Sequence, residues 1–134
     1  MGKKEINGLS QSILESYSSQ LLEVSKNIDE DILKAAELII NNSGKVVISG
    51  LGKSGLIGQK IVATLCSTGT RSVYMHAAEA IHGDLGIYNP GDPTILISKS
   101  GNTEELVKLI PCLLYTSDAA DDLLCVDLGG RRII

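Results

Sequence analysis

The segment KVVISGLGKSGLIGQK, residues 45–60, decides the fold of this chain. It begins with a short run of β-branched residues and continues, after a glycine-rich turn, with apolar positions at helical spacing. This pattern is typical of a buried parallel strand that leads into a helix. The turn satisfies G-x-G-x-x-G, a spacing associated with dinucleotide sites, through Gly50, Gly52 and Gly55. It also contains Lys53 and Ser54, which such sites do not need, so the identity of the anion it would bind is open.

The strand–turn–helix pattern recurs along the rest of the chain. Short apolar runs predict three strands, at 45–49, 71–75 and 94–98. Apolar spacing predicts a helix at 54–68, ended by Gly69, and another helix from about Thr103. Strands that alternate with helices at this spacing predict an α/β fold, in which a parallel sheet with right-handed crossovers lies between two layers of helices.

Residues 1–42 precede the first strand and are predicted to form two N-terminal helices. Apolar residues recur there at helical spacing, and Asn27 and Asp29 interrupt them as a break or an N-cap. The sequence NNSGK ends the second helix. We expect its glycine, Gly44, to take the left-handed conformation that commonly follows a helix.

The composition is that of a soluble globular chain. The 134 residues carry a net charge of −4, which argues against nucleic acid or an anionic membrane surface as a partner, because both require a basic face. No apolar run approaches the ~20 residues of a membrane span and no signal peptide is recognisable, so we expect a cytoplasmic protein. The three cysteines lack metal-binding spacing, and Cys66 is expected to be a small buried thiol.

The last segment, CLLYTSDAADDLLCVDLGGRRII (112–134), differs from what precedes it because it has no sustained period. Residues 112–121 and 125–134 back-translate, in one frame, into the two ends of a transposase-type sequencing adapter. The alternative is a real but unusual C-terminus. We therefore expect N-terminal helices at 1–42, a partial α/β domain at 43–111 and a non-native tail at 112–134, so that 1–111 are the N-terminal part of a longer protein.

Ligands of a parallel sheet bind beyond the carboxyl ends of its strands, which here selects the segments 50–55, 76–84 and 98–103. Known nucleotide motifs do not fit these places. A dinucleotide site requires an acidic residue at the end of the second strand, where this chain has Met75 and His76. A Walker A motif requires a glycine at position 47, which is Val47.

The segment ISKSGNTEE (97–105) predicts a cradle for a single phosphate. Its hydroxyls surround a glycine at the start of a helix, where free backbone N–H groups also favour an anion. The residues concerned are Ser98, Ser100, Gly101 and Thr103. An ordinary N-cap would explain one such hydroxyl. Because Ser54 and Ser100 take similar places after the first and third strands, we favour phosphate binding at this edge.

Three motifs resemble the sugar isomerase (SIS) domain family and, within it, the D-arabinose 5-phosphate isomerases. They are VVISGLGKSGLIGQKIVATLCSTGT, HAAEAIHGDLG and ISKSGNTEELVKLIP, which span roughly residues 40–111. The resemblance implies a three-layer αβα SIS domain with a parallel sheet, truncated here after about the third strand. It also implies interconversion of D-arabinose 5-phosphate and D-ribulose 5-phosphate, an aldose–ketose isomerisation that feeds synthesis of the lipopolysaccharide sugar Kdo or a related capsule pathway.

The resemblance also implies roles for residues at the predicted edge. The implied catalytic residues are Lys53, Glu105 and His82. The implied phosphate-binding residues are Gly52, Ser54, Ser98, Ser100, Gly101 and Thr103. Each of these three residues also has a simpler interpretation. Lys53 could be a solvated surface lysine, and Glu105 could stabilise the helix dipole from the first turn. His82 could be structural, as a lone histidine usually is. No cofactor is implied as required, although a divalent metal such as zinc is associated with His82 in an inhibitory or structural role.

The resemblance further implies partners, and other functions stay open beside it. We expect a sugar-phosphate substrate and, in the intact protein, a homo-oligomer that is a dimer or a tetramer. Later strands and catalytic residues of the family lie beyond residue 111, so we expect this chain alone to be an inactive fragment. The alternatives are a non-catalytic sugar-phosphate sensor, a phosphoheptose or hexulose-phosphate isomerase, and an NAD-binding oxidoreductase fragment.

Overall fold

A computed structural model describes residues 2–116 and shows helices and strands in alternation. In chain order the elements are α1 (Lys3–Lys26), α2 (Glu30–Asn41), β1 (Val46–Gly50), α3 (Gly52–Ser67), β2 (Ser72–His76), α4 (Ala77–Ile81), a short 3₁₀ turn (Asp84–Ile87), β3 (Thr94–Ile97) and α5 (Glu104–Thr116). The three predicted strands and the helices that follow the first and third of them are confirmed, with bounds that differ by one or two residues.

The three strands form a parallel sheet in the order β2-β1-β3, as the sequence pattern predicts. Every residue of β1 is buried, because this strand lies between two partners and is covered on both faces. The register places Gly50, the last residue of β1, opposite His76 of β2 and Ile97 of β3. The three strands therefore end at the same level, which brings the segments that follow them to one edge of the sheet.

Helices cover both faces of the sheet and give the fold three layers. On one face α4 and α5 form the main apolar cluster with the strands. Its buried members are Val47, Met75, Ala77, Ala80, Leu106, Leu109 and Leu113. On the other face α3 packs so closely that a Cβ on Gly58 would lie 3.2 Å from Ile48 and 3.2 Å from the Tyr74 ring. This arrangement confirms the predicted αβα layering.

An ion pair fastens the amino-terminal end of the sheet. The buried carboxylate of Asp92 lies 2.5 Å from Nζ of Lys45 and accepts the backbone N–H groups of Lys45 at 3.0 Å and Asn89 at 2.8 Å. Burial raises the pKa of this carboxyl, but the hydrogen bonds outweigh burial and leave the pKa of Asp92 below its ordinary value. The pair therefore ties the residue before β1 to the loop before β3.

The expectation for Gly44 is wrong, because this residue does not have a positive φ. The oxygen Oδ1 of Asn42 accepts the Gly44 N–H at 2.6 Å, so a side chain rather than a left-handed residue closes the turn after α2. Glycine is needed there for another reason. A Cβ on Gly44 would lie 2.5 Å from Oδ1 of Asp92 and 2.7 Å from Oδ1 of Asn42.

The expectation that Cys66 is buried is also wrong. Cys66 lies in the last turn of α3 and is exposed. Its Sγ donates a hydrogen bond of 3.4 Å to the Ser72 carbonyl and lies 3.3 Å from the Ser72 hydroxyl. These hydrogen bonds from and to Ser72 lower the pKa of the thiol. The apolar spacing of α3 therefore does not bury its last turn, where Cys66 contacts Ser72 at the start of β2.

The chain divides into two compact units, 1–34 and 35–134. In the first unit α1 has no buried residue, and its large exposed apolar side chains are Ile6, Leu9, Ile13, Leu14, Tyr17, Leu21, Leu22 and Val24. The predicted break is confirmed, because α1 is capped by Asn27 and Oδ1 of Asp29 accepts the N–H of Asp31 at 3.2 Å. Across residues 2–116, no helix is both long enough and apolar enough to cross a membrane.

The helix α5 continues through Pro111 to Thr116. The predicted boundary between 111 and 112 therefore falls within this helix. Most of the predicted non-native tail, 117–134, lies outside the described residues. The division of the chain into 1–42, 43–111 and 112–134 stays a prediction.

Candidate functional site

The carboxyl ends of the three strands form one edge of the sheet, which we call the carboxyl edge. Helix α3 begins two residues after Gly50, α4 begins directly after His76, and the loop 98–103 joins β3 to α5. Neighbouring strands lie about 4.8 Å apart, so these three segments begin side by side. The structure therefore confirms that the three segments selected from the sequence start at a common edge.

The glycines of the first turn are required by its geometry. Gly52 has a φ of 54°, a conformation that favours glycine. Gly50 lies so close to α3 that a Cβ there would be 3.1 Å from the nitrogen of Gly55. A Cβ on Gly55 would in turn lie 2.5 Å from the Tyr74 hydroxyl. Close packing of α3 on the sheet thus explains the G-x-G-x-x-G spacing without a dinucleotide.

Tyr74 fixes the position of this turn. Its hydroxyl donates a hydrogen bond of 2.6 Å to the carbonyl of Gly50, where β1 ends. Burial raises the pKa of Tyr74, which keeps the hydroxyl protonated and able to donate. The turn between β1 and α3 is therefore held from the neighbouring strand β2.

Lys53 and Ser54 lie in the first turn of α3. Lys53 is exposed, and Ser54 is half-buried. The first N–H groups of a helix have no partner within the helix, and the helix dipole places partial positive charge at that end. With the ammonium group of Lys53 added, the start of α3 can attract an anion to the carboxyl edge.

Ser98 organises the loop after β3. Its Oγ lies 2.8 Å from Oγ1 of Thr103 and accepts the N–H of Gly101 at 3.1 Å. The hydroxyl of Ser100 accepts the N–H of Asn102 at 3.2 Å. Gly101 has a φ of 67°, so the chain reverses there and returns the Thr103 hydroxyl to Ser98. The structure thus gathers four of the predicted phosphate-binding residues in one loop at the start of α5.

Glu104 and Glu105 both begin α5 but differ in their surroundings. Glu104 is exposed and forms an ion pair of 2.6 Å with Lys108, one turn along the helix. The hydrogen bond between them lowers the pKa of Glu104 and raises the pKa of Lys108. Glu105 is half-buried. The two carboxylates therefore differ in exposure: Glu104 lies at the surface in an ion pair with Lys108, and Glu105 is half-buried at the start of the same helix.

His82 lies one short helix away from the carboxyl edge. It is exposed, it follows α4, and its backbone N–H donates to the carbonyl of Glu79 at 2.9 Å. Within residues 2–116, no three His, Cys, Asp or Glu side chains are grouped closely enough to hold a metal ion. The residues around His82 therefore do not by themselves form a site for a divalent metal.

Two buried polar atoms belong to residues for which the sequence patterns predict no role. They are Oγ of Ser49 and Nδ1 of His76, and neither has a hydrogen-bond partner in the described part of the chain. Ser49 is the penultimate residue of β1, and His76 ends β2. The sequence signal that could have indicated them is a polar residue at the carboxyl end of an otherwise apolar strand, where ligands bind.

The carboxyl edge combines several groups suited to a sugar phosphate. The loop 98–103 and the starts of α3 and α5 offer hydroxyls and backbone N–H groups that can bind a phosphate. Lys53 adds a cation, and Glu105 adds a half-buried carboxylate that can act as a base. The carboxyl edge can therefore bind a phosphate group, and the two helices that begin there add a cation and a carboxylate, Lys53 and Glu105.

Curated proteins similar to this chain are named arabinose 5-phosphate isomerases. The chain is 49% identical over 109 residues to arabinose 5-phosphate isomerase KpsF of Escherichia coli O6:H1 (strain CFT073), which covers 81% of this chain and 33% of that protein. It is 46% identical over 103 residues to arabinose 5-phosphate isomerase KdsD of Salmonella typhi, which covers 77% of this chain and 31% of that protein. The chain thus spans about a third of the length of the curated relatives it matches.

A solved structure of E. coli CFT073 c3406 in complex with arabinose 5-phosphate has the same fold over most of the chain. The two superpose with a TM-score of 0.81 at 35% sequence identity, over 87% of this chain and 62% of that chain. The SIS domain family model matches residues 39–120, which include the whole sheet and the segments at its carboxyl edge. The match covers more than half of the sequence, and the chain therefore belongs to the SIS domain family.

Proposed function

We propose that this chain is part of an isomerase that interconverts D-arabinose 5-phosphate and D-ribulose 5-phosphate. The observation that carries the proposal is the loop in which the hydroxyls of Ser98 and Thr103 meet at 2.8 Å, next to the start of α3. The similarity to proteins named arabinose 5-phosphate isomerase, and to a structure in complex with arabinose 5-phosphate, supports this choice of substrate.

The substrate phosphate binds at the carboxyl edge in this proposal. The hydroxyls of Ser98 and Thr103 exchange the bond between them for bonds to phosphate oxygens, and the N–H groups at the starts of α3 and α5 add further donors. The residues assigned to the phosphate are Gly52, Ser54, Ser98, Ser100, Gly101 and Thr103. The support for this set is that all of them lie in the two segments that follow β1 and β3.

The reaction moves one proton between two carbons of the sugar. Glu105 accepts the proton of C2 of the aldose, which leaves an enediolate, and then delivers a proton to C1. Lys53 stabilises the negative charge that develops on the enediolate oxygen. His82 passes a proton from the C2 hydroxyl to the C1 oxygen. C1 gains one hydrogen and C2 loses one, so the reaction needs no oxidant, reductant or cofactor.

The proposal extends to the intact protein. We infer that it works in the cytoplasm, requires no cofactor, and assembles as a homo-oligomer of two or four copies. A divalent metal at His82 would have an inhibitory or structural role and would take no part in the proposed reaction. Light scattering of the intact protein measures its molar mass. We expect the mass of two or four copies, and the mass of one copy would contradict the proposed assembly.

The test begins with a DNA sequence of the source locus across codon 112. We expect the reading frame to continue past Pro111 with a segment other than 112–134, and a genome that encodes CLLYTSDAADD and then stops would contradict the predicted tail. The complete encoded chain is then assayed for conversion of arabinose 5-phosphate to ribulose 5-phosphate. Binding without conversion would favour the sensor, and conversion of a seven-carbon or hexulose phosphate instead would favour another isomerase.

A further inference from the structure

Ser49 is fully buried, and the proposed reaction does not use its hydroxyl. Within residues 2–116 two polar residues are buried, and the other one, Asp92, is paired with Lys45 and accepts two backbone N–H groups. Oγ of Ser49, by contrast, has no hydrogen-bond partner in that part of the chain. A buried hydroxyl without a partner is unfavourable, so the residue calls for a partner that the site supplies when it works.

We propose that Ser49 is a positioning residue, whose hydroxyl donates a hydrogen bond to the carboxylate of Glu105. The bond forms when the Glu105 side chain turns toward the sheet, and it holds that carboxylate where it takes the proton of the sugar. This inference rests on the proposed function and adds a residue that acts through the proposed base. Three observations carry it: the face of the sheet on which Ser49 lies, its level along the strand, and the side of α5 from which Glu105 projects.

The side chain of Ser49 lies on the face of the sheet that α5 covers. Side chains alternate along a strand, so Ser49 shares a face with Val47, which belongs to the same buried cluster as Leu109 of α5. Its register partners on the neighbouring strands are Met75, a member of that cluster, and Leu96, which packs against it. These neighbours are apolar and offer the hydroxyl no strong acceptor, whereas the first turn of α5 carries two carboxylates.

Ser49 and Glu105 lie at a similar level of this face. Helix α5 begins at the carboxyl edge, where β1 ends, and packs back along the sheet, so the helix and the strand run in opposite directions. Two residues along β1 from Val47 toward the carboxyl edge cover about 6.6 Å and lead to Ser49. Four residues along α5 from Leu109 toward the same edge cover about 6 Å and lead to Glu105. The buried hydroxyl and the carboxylate are thus one equal step beyond the same cluster.

Glu105 projects from the side of α5 that faces β1. The start of the helix is held to the loop after β3, because the Thr103 hydroxyl lies 2.8 Å from Oγ of Ser98. Residues two apart on a helix point about 200° apart, so Glu105 projects from the side opposite Thr103. In the sheet order β2-β1-β3 that side faces β1. Glu105 is half-buried there, and the ammonium group of Lys108 is paired with Glu104 instead.

A donor to Glu105 acts on the reaction through the position of the base. A general base must lie within hydrogen-bond reach of the proton that it takes, and a third group commonly orients such a base. The hydroxyl of Ser49 occupies one carboxylate oxygen and leaves the other for the sugar. Ser49 itself is enclosed and does not touch the substrate. Loss of the hydroxyl should therefore lower kcat and leave KM nearly unchanged.

Steady-state kinetics of the complete encoded chain with arabinose 5-phosphate test the inference. Ser49→Val and Ser49→Thr introduce side chains of nearly the same shape, and only Ser49→Thr keeps a hydroxyl. We expect kcat to fall about 10-fold in Ser49→Val and to stay within about threefold of wild type in Ser49→Thr. KM should stay within about twofold of wild type in both variants. A role in packing alone would affect the two variants equally, because they fill the same volume.

A second comparison shows whether Ser49 acts through Glu105. Ser49→Ala adds no atom to the buried position, so it also covers the case in which the larger side chains do not fit. We expect Ser49→Ala to lower kcat about 10-fold in the otherwise wild-type chain and less than about twofold in a chain that carries Glu105→Gln. Once the base is gone, a residue that only positions the base has nothing left to contribute.

Thr94→Val is the matched control, because Thr94 pairs with Val47 and therefore lies on the same face at the amino end of the sheet. Its hydroxyl donates to the carbonyl of Asp92 at 3.3 Å, and kcat and KM should equal those of wild type. The inference is overturned by a wild-type kcat in Ser49→Ala, by a loss confined to KM, by equal kcat in Ser49→Val and Ser49→Thr, or by the same loss with and without Glu105→Gln.

The wild-type chain and the Glu105→Gln chain are measured before any Ser49 variant. A wild-type chain that does not convert arabinose 5-phosphate is a failure of the proposed function, and so is a wild-type kcat in Glu105→Gln. In either case the contact between Ser49 and Glu105 falls with it. When both chains behave as proposed, the Ser49 variants decide the inference alone.

Discussion

Ser98 and Thr103, five residues apart in sequence, are joined through their hydroxyls at 2.8 Å. This bond closes the loop between β3 and α5 on itself, and the N–H of Gly101 at the reversal donates to the same Ser98 oxygen at 3.1 Å. The backbone of the loop is therefore ordered before any ligand arrives, although the two hydroxyls must exchange the bond between them for bonds to the phosphate. An ordered backbone favours binding because little of its conformational entropy remains to be lost.

Ser98→Ala should weaken binding of arabinose 5-phosphate by about 10- to 100-fold. The change removes a hydroxyl assigned to the phosphate and leaves Gly101 and Thr103 without their partner in the loop. Isothermal titration calorimetry of the complete encoded chain measures the effect. Ser67→Ala, which removes a hydroxyl bonded to Thr64 at 2.7 Å at the far end of α3, should bind like wild type. If the Ser98 variant binds arabinose 5-phosphate as tightly as wild type, the loop 98–103 does not bind the phosphate.

Lys53→Met should lower kcat by about 10²- to 10³-fold, because it removes the cation that stabilises the enediolate oxygen. Lys60→Met is the matched control. Lys60 is another exposed lysine of α3, with its Nζ 3.2 Å from Oγ1 of Thr64, and lies two turns from the carboxyl edge. Turnover of arabinose 5-phosphate measures both variants. If they lose the same amount, Lys53 acts only through the overall charge of the helix.

The neighbouring acids of α5 should respond differently to the same substitution. Glu105→Gln removes the proposed base and should lower kcat by about 10²- to 10⁴-fold. Glu104→Gln breaks only the exposed pair with Lys108 and should leave kcat within about twofold of wild type and stability nearly unchanged. The same kinetic assay measures kcat of both variants. A larger loss of kcat in the Glu104 variant would make Glu104, and not Glu105, the base.

Stability should fall in acid because of Asp92. Its pKa is lower in the folded chain than in the unfolded chain, so the folded state has extra stability above the unfolded pKa of about 4. That stability is lost as the pH falls through the lower, folded pKa. Urea unfolding at several pH values between 7 and 2 measures it.

Asp92→Asn should lower the free energy of unfolding at pH 7 by about 3 kcal/mol, because it leaves Lys45 partly buried without its counter-ion. It should also flatten the acid dependence. Asp31→Asn, which removes an exposed pair with Lys34, should change stability by less than about 0.5 kcal/mol. An acid transition that stays the same in the Asp92 variant would assign the pH dependence to other carboxyls.

Gly55→Ala should destabilise the fold, because the added Cβ would lie 2.5 Å from the Tyr74 hydroxyl and 3.0 Å from the Gly50 carbonyl. Overpacking of this kind costs about 1–3 kcal/mol. Tyr74→Phe removes the nearer of the two atoms and should restore part of the loss in the double variant. Thermal unfolding of the two single variants and the double variant gives a double-mutant cycle. If the losses of stability in the two single variants simply add in the double variant, the Cβ does not meet the Tyr74 hydroxyl.

The strand β1 and its turn could be predicted from the sequence because their signal is local. An unbroken apolar run marks a strand buried on both faces, and the glycines mark the turn where the chain enters α3 closely. The location of the site could be predicted for a related reason, because parallel strands expose their carboxyl ends to ligands at a common edge.

Features that depend on distant residues could not be predicted in the same way. The role of Gly44 depends on Asp92, which approaches it from the loop before β3. The exposure of Cys66 depends on what covers the last turn of α3, and periodicity gives only the side of the helix. The burial of Nδ1 of His76 depends on the elements packed around the end of β2, which the sequence pattern does not specify.

Isomerisation of a sugar phosphate at the carboxyl edge can be followed atom by atom with ¹³C NMR. The complete encoded chain is incubated with arabinose 5-phosphate labelled at C1. We predict that the C1 signal of the aldose is replaced by that of the C1 hydroxymethyl group of ribulose 5-phosphate, and that Ser98→Ala slows this change at low substrate concentration. If the C1 signal of the aldose persists with a folded wild-type chain at substrate saturation, the carboxyl edge does not isomerise this sugar phosphate.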